Sequence, residues 1–154
     1  MATKLKTGDK APSFTAKDQK GDEISLEKLK GKKIILYFYP RDNTPGCTAE
    51  ACSLRDGYDK LLASGFVVVG VSPDTEKSHQ NFSSKHDLPF HLVADTEKKL
   101  LNEYGAWGEK KMYGKTSEGV IRTTFIISEN GMIEHIIPKV DTKNHAEQIM
   151  ALYN

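Results

Sequence analysis

The chain has little sulfur, little unbalanced charge and no long apolar run. It carries only two cysteines, Cys47 and Cys52, and one tryptophan in 154 residues. Two cysteines are too few for a disulfide scaffold. Without a second cysteine pair or a His-x3-5-His pair, the ligand set of a structural zinc site is missing as well, so no metal is expected. The 22 Lys+Arg nearly cancel the 21 Asp+Glu, leaving a net charge of +1. That balance lacks the basic field of a nucleic-acid or anionic-membrane binder and points to small or neutral partners. No apolar run approaches the roughly 18 residues that span a bilayer. The opening Met1 to Phe14 lacks the apolar block of a secretory signal. A soluble, cytoplasmic protein with no membrane contact is the resulting expectation. In that compartment a cysteine pair is more often reactive or metal-binding than a permanent staple.

With 38% hydrophobic and 28% charged residues, the chain can bury one substantial core, and its length fits a single domain over residues 1–154. The run Lys33 to Tyr39 is continuously apolar and rich in β-branched and aromatic residues, as is Phe66 to Ser72; both suit strands buried on two faces. Between them Ala51, Leu54, Tyr58, Leu61 and Leu62 recur at helical spacing. This is a strand, helix, strand unit whose strands run parallel. Asp74 or Thr75 can cap a following helix that includes Ser78 to Ser84. A short extended piece, Pro89 to Val93, and a short helix, Glu97 to Tyr104, come next. Arg122 to Ile127 and Ile133 to Ile137 flank Asn130-Gly131, a hairpin signal. A last helix covers about Lys143 to Leu152, and Phe14 to Lys17 with Glu23 to Leu26 make a small N-terminal hairpin. The order predicts an α/β, thioredoxin-like sandwich: a central mixed β-sheet flanked by helices, with a short N-terminal β-hairpin. Function in such sheets sits beyond the carboxyl ends of the strands.

The segment Pro40-Arg41-Asp42-Asn43-Thr44-Pro45-Gly46-Cys47 lies at that end. Pro45 suits the first turn of a helix and Thr44 suits its N-cap. Cys47 then falls in the first turn, where unsatisfied N–H groups and the helix dipole favour thiolate over thiol. The thiolate is the nucleophilic form. The stripe from Cys47 through Ala51, Leu54, Tyr58 and Leu61 turns its sulfur toward the core. Cys52 shares a more polar side with Thr48, Arg55 and Asp59. On an ideal helix the two Cα atoms stand about 8 to 9 Å apart and roughly 140° around the axis, beyond disulfide reach. If they pair, the first turns must unwind. A metal clip, a Cys-x-x-Cys dithiol and a pair of inert buried thiols fit this spacing and context less well.

The pattern Pro40-x-x-x-Thr44-x-x-Cys47 resembles the signature of peroxiredoxins, and Cys47-x4-Cys52 with Thr48-Ala49-Glu50-Ala51 between resembles their Q subgroup, the bacterioferritin comigratory proteins. The resemblance runs through Trp107-Gly108-Glu109-Lys110-Lys111-Met112-Tyr113-Gly114 and Arg122-Thr123-Thr124-Phe125. It implies a thiol peroxidase that reduces hydrogen peroxide and organic hydroperoxides without metal, flavin or haem. By the same resemblance Cys47 is the peroxidatic cysteine that becomes a sulfenic acid, and Cys52 is the resolving cysteine that condenses with it to a disulfide re-reduced by thioredoxin. Thr44 would offer its hydroxyl to the peroxide or the thiolate, Pro40 would shield the pocket and Arg122 would hold positive charge beside the sulfur. The subgroup also implies a monomer.

Plainer roles stand beside these. Thr44 can serve only as a cap, Pro40 can simply end the strand, and Arg122 can be an ordinary ion-paired arginine. Glu50 reads equally as a first-turn carboxylate favouring the helix dipole, and Trp107 as a pocket wall. The histidines His79, His86, His91, His135 and His145 share no spacing and receive no chemistry. Two rival functions remain in view: a thiol–disulfide oxidoreductase acting on proteins, and a redox-sensing binding protein whose helix unwinds on oxidation.

Overall fold

The computed structural model describes residues 4–112 and 114–153, with the side chains of Lys111 and Met112 outside that description. Residues 1–3 of the opening segment and Tyr113 of the stretch quoted above also fall outside it.

The chain begins with the hairpin β1 (Thr15–Lys17) and β2 (Glu23–Ser25), paired antiparallel. It then enters β3 (Lys33–Phe38), α1 (Pro45–Asp56), α2 (Tyr58–Ala63) and β4 (Phe66–Ser72). There follow α3 (Glu76–His86), β5 (His91–Ala94), α4 (Lys99–Glu103), a hairpin of β6 (Trp107–Met112) and β7 (Lys115–Val120), β8 (Thr123–Ile127), β9 (Ile133–Ile137) and α5 (His145–Ala151).

The main sheet has five strands in the order β5-β4-β3-β8-β9. β3, β4 and β5 are parallel, and β8 and β9 are antiparallel to their neighbours, so the sheet is mixed as predicted. The period of two in a strand divides the core between its faces. Ile34, Leu36 and Phe38 join Val67, Val69, Val71, Phe125 and Ile127 on one face, under α4 and the N-terminal hairpin. Ile35, Tyr37 and Tyr39 join Val68, Ile126 and the apolar sides of α1, α2, α3 and α5 on the other. The fold is the thioredoxin-like arrangement the element order implied.

Two local features depart from the sequence expectations. The helical stripe beginning at Ala51 is broken at Gly57 into α1 and α2, because α5 packs there; a Cβ on Gly57 would stand 2.7 Å from the Ala146 Cβ. Leu62, expected on the stripe, is 44% exposed after the break. The β6–β7 hairpin was not foreseen, since its strands pair polar residues such as Glu109 with Glu118 and Lys110 with Ser117. At the start of α3 the cap is Thr75, one of the two candidates, accepting from the Ser78 amide at 3.1 Å.

Candidate active site

The antiparallel register pairs Phe38 with Thr123. Residues just beyond Phe38 therefore lie beside those just before Thr123. This brings Arg122 to the mouth of the loop that leads from β3 into α1. Within that loop Asn43 adopts a left-handed conformation, φ 62°, which asparagine tolerates better than most residues. Thr44 occupies the N-cap position, Pro45 opens α1, and the Thr48 amide donates to the Thr44 carbonyl at 2.8 Å. The Thr44 side chain does not cap; its hydroxyl donates back to the Arg41 carbonyl at 2.9 Å.

Cys47 sits in the first turn of α1 and is 1% exposed, facing the core with Ala51 and Leu54. Arg122 Nη2 donates to the Cys47 Sγ at 3.2 Å, and Arg122 Nη1 donates to Glu50 Oε1 at 2.5 Å. One guanidinium thus joins the sulfur to a carboxylate through two arms of its planar fork. The approach depends on the residue before the cysteine: a Cβ on Gly46 would lie 3.3 Å from Arg122 Nη2.

Glu50 does not lie in the first turn of α1, where the plainer of its two sequence readings puts it. It lies one turn further along α1 and is fully buried. Burial pushes its carboxyl up from 4.5 to about 7, against the pull of Arg122. Its Oε2 has no hydrogen-bond partner among the described residues and stands 3.5 Å from His145 Nε2. The tautomer of His145 follows from its other partners. Gln148 uses its amide nitrogen on the Lys139 carbonyl, leaving Oε1 to accept from the Asp141 amide and from His145 Nδ1 at 2.9 Å. The proton is then on Nδ1, and Nε2 accepts from the Thr124 hydroxyl at 2.9 Å. Burial lowers His145 from 6.5 to about 4, consistent with a neutral ring.

Behind the loop, Asp42 is buried in a net of donors: the Tyr39 hydroxyl at 2.7 Å on Oδ1, and the Ser78 hydroxyl at 2.8 Å and His79 Nδ1 at 2.7 Å on Oδ2. The Asp42 amide donates to Asp74 Oδ2, which also accepts from Ser72. Asp42, Asp74 and His79 each bring a ligand atom within 4.8 Å of the others, a spacing a metal could use. Those atoms are already committed to internal hydrogen bonds, so the arrangement reads as a brace that ties the loop to β4 and α3.

Cys52, one and a half turns beyond Cys47 on the unbroken α1, is half-buried, and the two sulfurs are not bonded. Its Sγ lies 3.9 Å from His86 Nδ1. Pro40 lines a groove of about 350 Å³ with Arg41, Pro73, Trp107 and one side of the β6–β7 hairpin. Trp107 forms part of the wall, with Lys98 over its ring at 4.8 Å and its indole N–H donating to Glu118 at 3.3 Å.

Five residues singled out in the sequence, Pro40, Thr44, Cys47, Cys52 and Arg122, thus fall in one region around the start of α1. His79, His86, His145 and Asp42 were not singled out. Their partners lie far along the chain, and no local spacing announces them.

The AhpC/TSA family matches residues 7–136. A putative peroxiredoxin Bcp of Coxiella burnetii is 45% identical over 146 residues, covering 95% of this chain and 97% of the relative. Peroxiredoxin Bcp of Escherichia coli is 40% identical over 146 residues, covering 95% and 94%. Among solved structures, a mutant of Xylella fastidiosa PrxQ aligns with a TM-score of 0.91 at 28% identity over 99% of this chain and 97% of its own. The bacterioferritin comigratory protein of Xanthomonas campestris aligns with a TM-score of 0.84 at 34% identity over 90% and 88%. The chain therefore belongs to the AhpC/TSA family, within its peroxiredoxin Q group of bacterioferritin comigratory proteins, and is a thiol peroxidase working through a redox-active cysteine.

Proposed function

We propose that Cys47 is the peroxidatic cysteine and Cys52 the resolving cysteine of a thioredoxin-dependent cycle. The observation that carries this reading is the 3.2 Å contact from Arg122 Nη2 to the Cys47 sulfur at the first turn of α1. A cation and a helix N-terminus together favour the anionic sulfur. The thiolate attacks the O–O bond of hydrogen peroxide or an organic hydroperoxide. Cys47 becomes a sulfenic acid, and water or an alcohol leaves. Arg122 stabilises the negative charge that passes from sulfur to the leaving oxygen. With its hydrogen given to the Arg41 carbonyl, Thr44 Oγ1 is free to accept the peroxide O–H. Pro40 closes the side of the pocket against water.

Cys52 then displaces the sulfenic hydroxyl to give a Cys47–Cys52 disulfide, which a dithiol of the thioredoxin type reduces. Cys47, only 1% exposed, admits a small peroxide and not the disulfide of a folded protein, which disfavours a general thiol–disulfide oxidoreductase. The cycle is assigned to a monomeric, cytoplasmic, single-domain protein; among the described residues no helix is long and apolar enough to cross a membrane. The test is NADPH oxidation in the presence of thioredoxin, its reductase and a panel of peroxides. Sustained turnover with loss of peroxide supports the cycle; a single stoichiometric oxidation would sink it.

A further inference from the structure

α3 presents three residues of one face, His79, Phe82 and His86, to the segment that carries the chemistry. His79 holds Asp42 of the loop before α1. Phe82, fully buried, packs against the Tyr39 ring at 6.4 Å. His86, one turn further and half-buried, reaches the side of Cys52.

The two ends of α1 are held differently. The end containing Cys52 is anchored: Leu54 is fully buried, the Ser53 hydroxyl accepts from the Ala146 amide at 3.1 Å, and Arg55 Nη1 donates to the His86 carbonyl at 2.8 Å. The end containing Cys47 begins with Pro45 and Gly46, which contribute least to helix stability. Its contact to Arg122 is of the kind that is stronger to an anionic acceptor, and a sulfenic acid is neutral. Cys47 is therefore the partner that travels, and Cys52 stays against α3.

We propose that His86 is the proton acceptor for Cys52 in the resolving step. The proposal rests on the reading of Cys52 as the resolving cysteine. His86 Nδ1 stands 3.9 Å from the Cys52 Sγ, a long S–H···N approach of the kind that tightens when the reacting groups come together. The Phe82 ring edge against the imidazole, with centroids 5.2 Å apart, fixes its plane. The Arg55 bond to the backbone of His86 fixes its height along α3. The charged groups around the pair are Arg55, Asp56 and Asp87. Arg55 is paired with Asp56 through Nη2 at 2.9 Å and Nε at 3.0 Å, and its cation also feels the Cys52 sulfur and Asp87.

The step balances as follows. The Cys52 S–H proton passes to Nδ1, and the thiolate attacks the Cys47 sulfenic sulfur. The S–S bond forms as the S–O bond breaks, and the departing hydroxide takes the proton back from the imidazolium as water. The Cys52 sulfur is oxidised and the Cys47 sulfur reduced, with no further co-reactant.

The test begins with the Cys47→Ser protein, in which Cys52 is the only thiol. Its alkylation by iodoacetamide is followed from pH 5 to pH 9. With His86 present, the rate at pH 7 is expected to exceed that of Cys47→Ser/His86→Gln by about tenfold, because the thiolate is the reactive form and an imidazole within reach of the sulfur takes up its proton. Added imidazole is expected to restore part of the rate in Cys47→Ser/His86→Ala, an effect a packing role would not produce. In the wild-type background, His86→Gln is expected to prolong the sulfenic acid, trapped with dimedone, while leaving the rate of its formation unchanged. Equal alkylation rates at every pH, or no response to imidazole, overturn the role of His86. A missing Cys47–Cys52 cross-link in the oxidised protein, read by mass spectrometry, instead overturns the resolving assignment on which the step depends.

Discussion

Arg122 touches the Cys47 sulfur from 75 residues along the chain, and it does so with the one guanidinium that also holds the buried Glu50. Removing that cation should therefore act on the first oxidation step. Hydrogen bonds to charged groups contribute about 1.5 to 3 kcal/mol, so Arg122→Ala is expected to slow reaction with peroxide by about 10- to 100-fold. Stopped-flow oxidation at pH 7 reads this directly, and an unchanged rate would make Arg122 a structural residue only.

Gly46 offers a subtler probe of the same contact. Alanine is preferred over glycine in a helix by about 1 kcal/mol, yet its Cβ would press on Arg122 Nη2 at 3.3 Å. Gly46→Ala is expected to be no less stable to urea and slower to react with peroxide. A variant that gains stability and keeps its full oxidation rate would show that the guanidinium has room to shift.

Glu50 and His145 impose opposite pH dependences on stability. Native Glu50 holds its proton up to about pH 7 while the unfolded chain releases it near 4.5, so its contribution is present at low pH and lost as pH rises through 7. Native His145 refuses a proton above about pH 4 that the unfolded chain accepts below 6.5, so its contribution is present above 6.5 and lost as pH falls toward 4. Glu50→Gln should make urea stability rise more steeply between pH 5 and pH 7, and His145→Asn should make it fall. Parallel curves for wild type and Glu50→Gln would rule out a protonated Glu50.

Oxidation should cost helix. Across the intact α1 the two cysteine Cα atoms stand about 8 to 9 Å apart, too far for a disulfide. The bridged form is expected to lose far-UV circular dichroism signal, and amides from about Thr48 to Cys52 should exchange faster with solvent. Anchoring of Ser53 and Arg55 to α5 and α3 predicts that faster exchange stops near Ser53. Uniform loss of protection through Asp56 would place the pivot elsewhere.

The two serine variants should part company. Cys47→Ser is expected to abolish turnover, a hydroxyl being a far poorer nucleophile than a thiolate. Cys52→Ser should form the sulfenic acid and retain helix, then pass to the sulfinic acid in excess peroxide. Intact-mass measurements after peroxide treatment distinguish these states; a Cys52→Ser protein that never gains two oxygens would point to another route of resolution.

The parts of this molecule legible from sequence were those written in local periodicity. The apolar runs at Lys33 and Phe66 gave the parallel strands that are observed, and Thr44-Pro45 marked the start of α1 to the residue. What stayed hidden depends on partners distant along the chain. Gly57 interrupts the helical stripe because Ala146 arrives against it. Glu50 reads as a first-turn carboxylate, because its partner Arg122 lies 72 residues away. The strands of the β6–β7 hairpin carry polar residues on exposed positions, so no alternation of hydrophobicity reveals them. The Thr44 hydroxyl, expected to cap, is drawn back to Arg41 by the geometry of the loop.

The β6–β7 ribbon forms its own two-stranded sheet, closed at its base by the Ile121 amide on the Ala106 carbonyl at 2.7 Å. It forms one bank of the groove that begins at Pro40, yet among the described residues no ladder joins it to the five-stranded sheet. Doubling the length of such a tip costs only about 0.6 kcal/mol in closure entropy. The bank can therefore be lengthened, shortened or recharged by drift or by engineering while the sulfur and its arginine keep their geometry. What lines the groove and how fast the O–O bond breaks are separately heritable traits in this architecture.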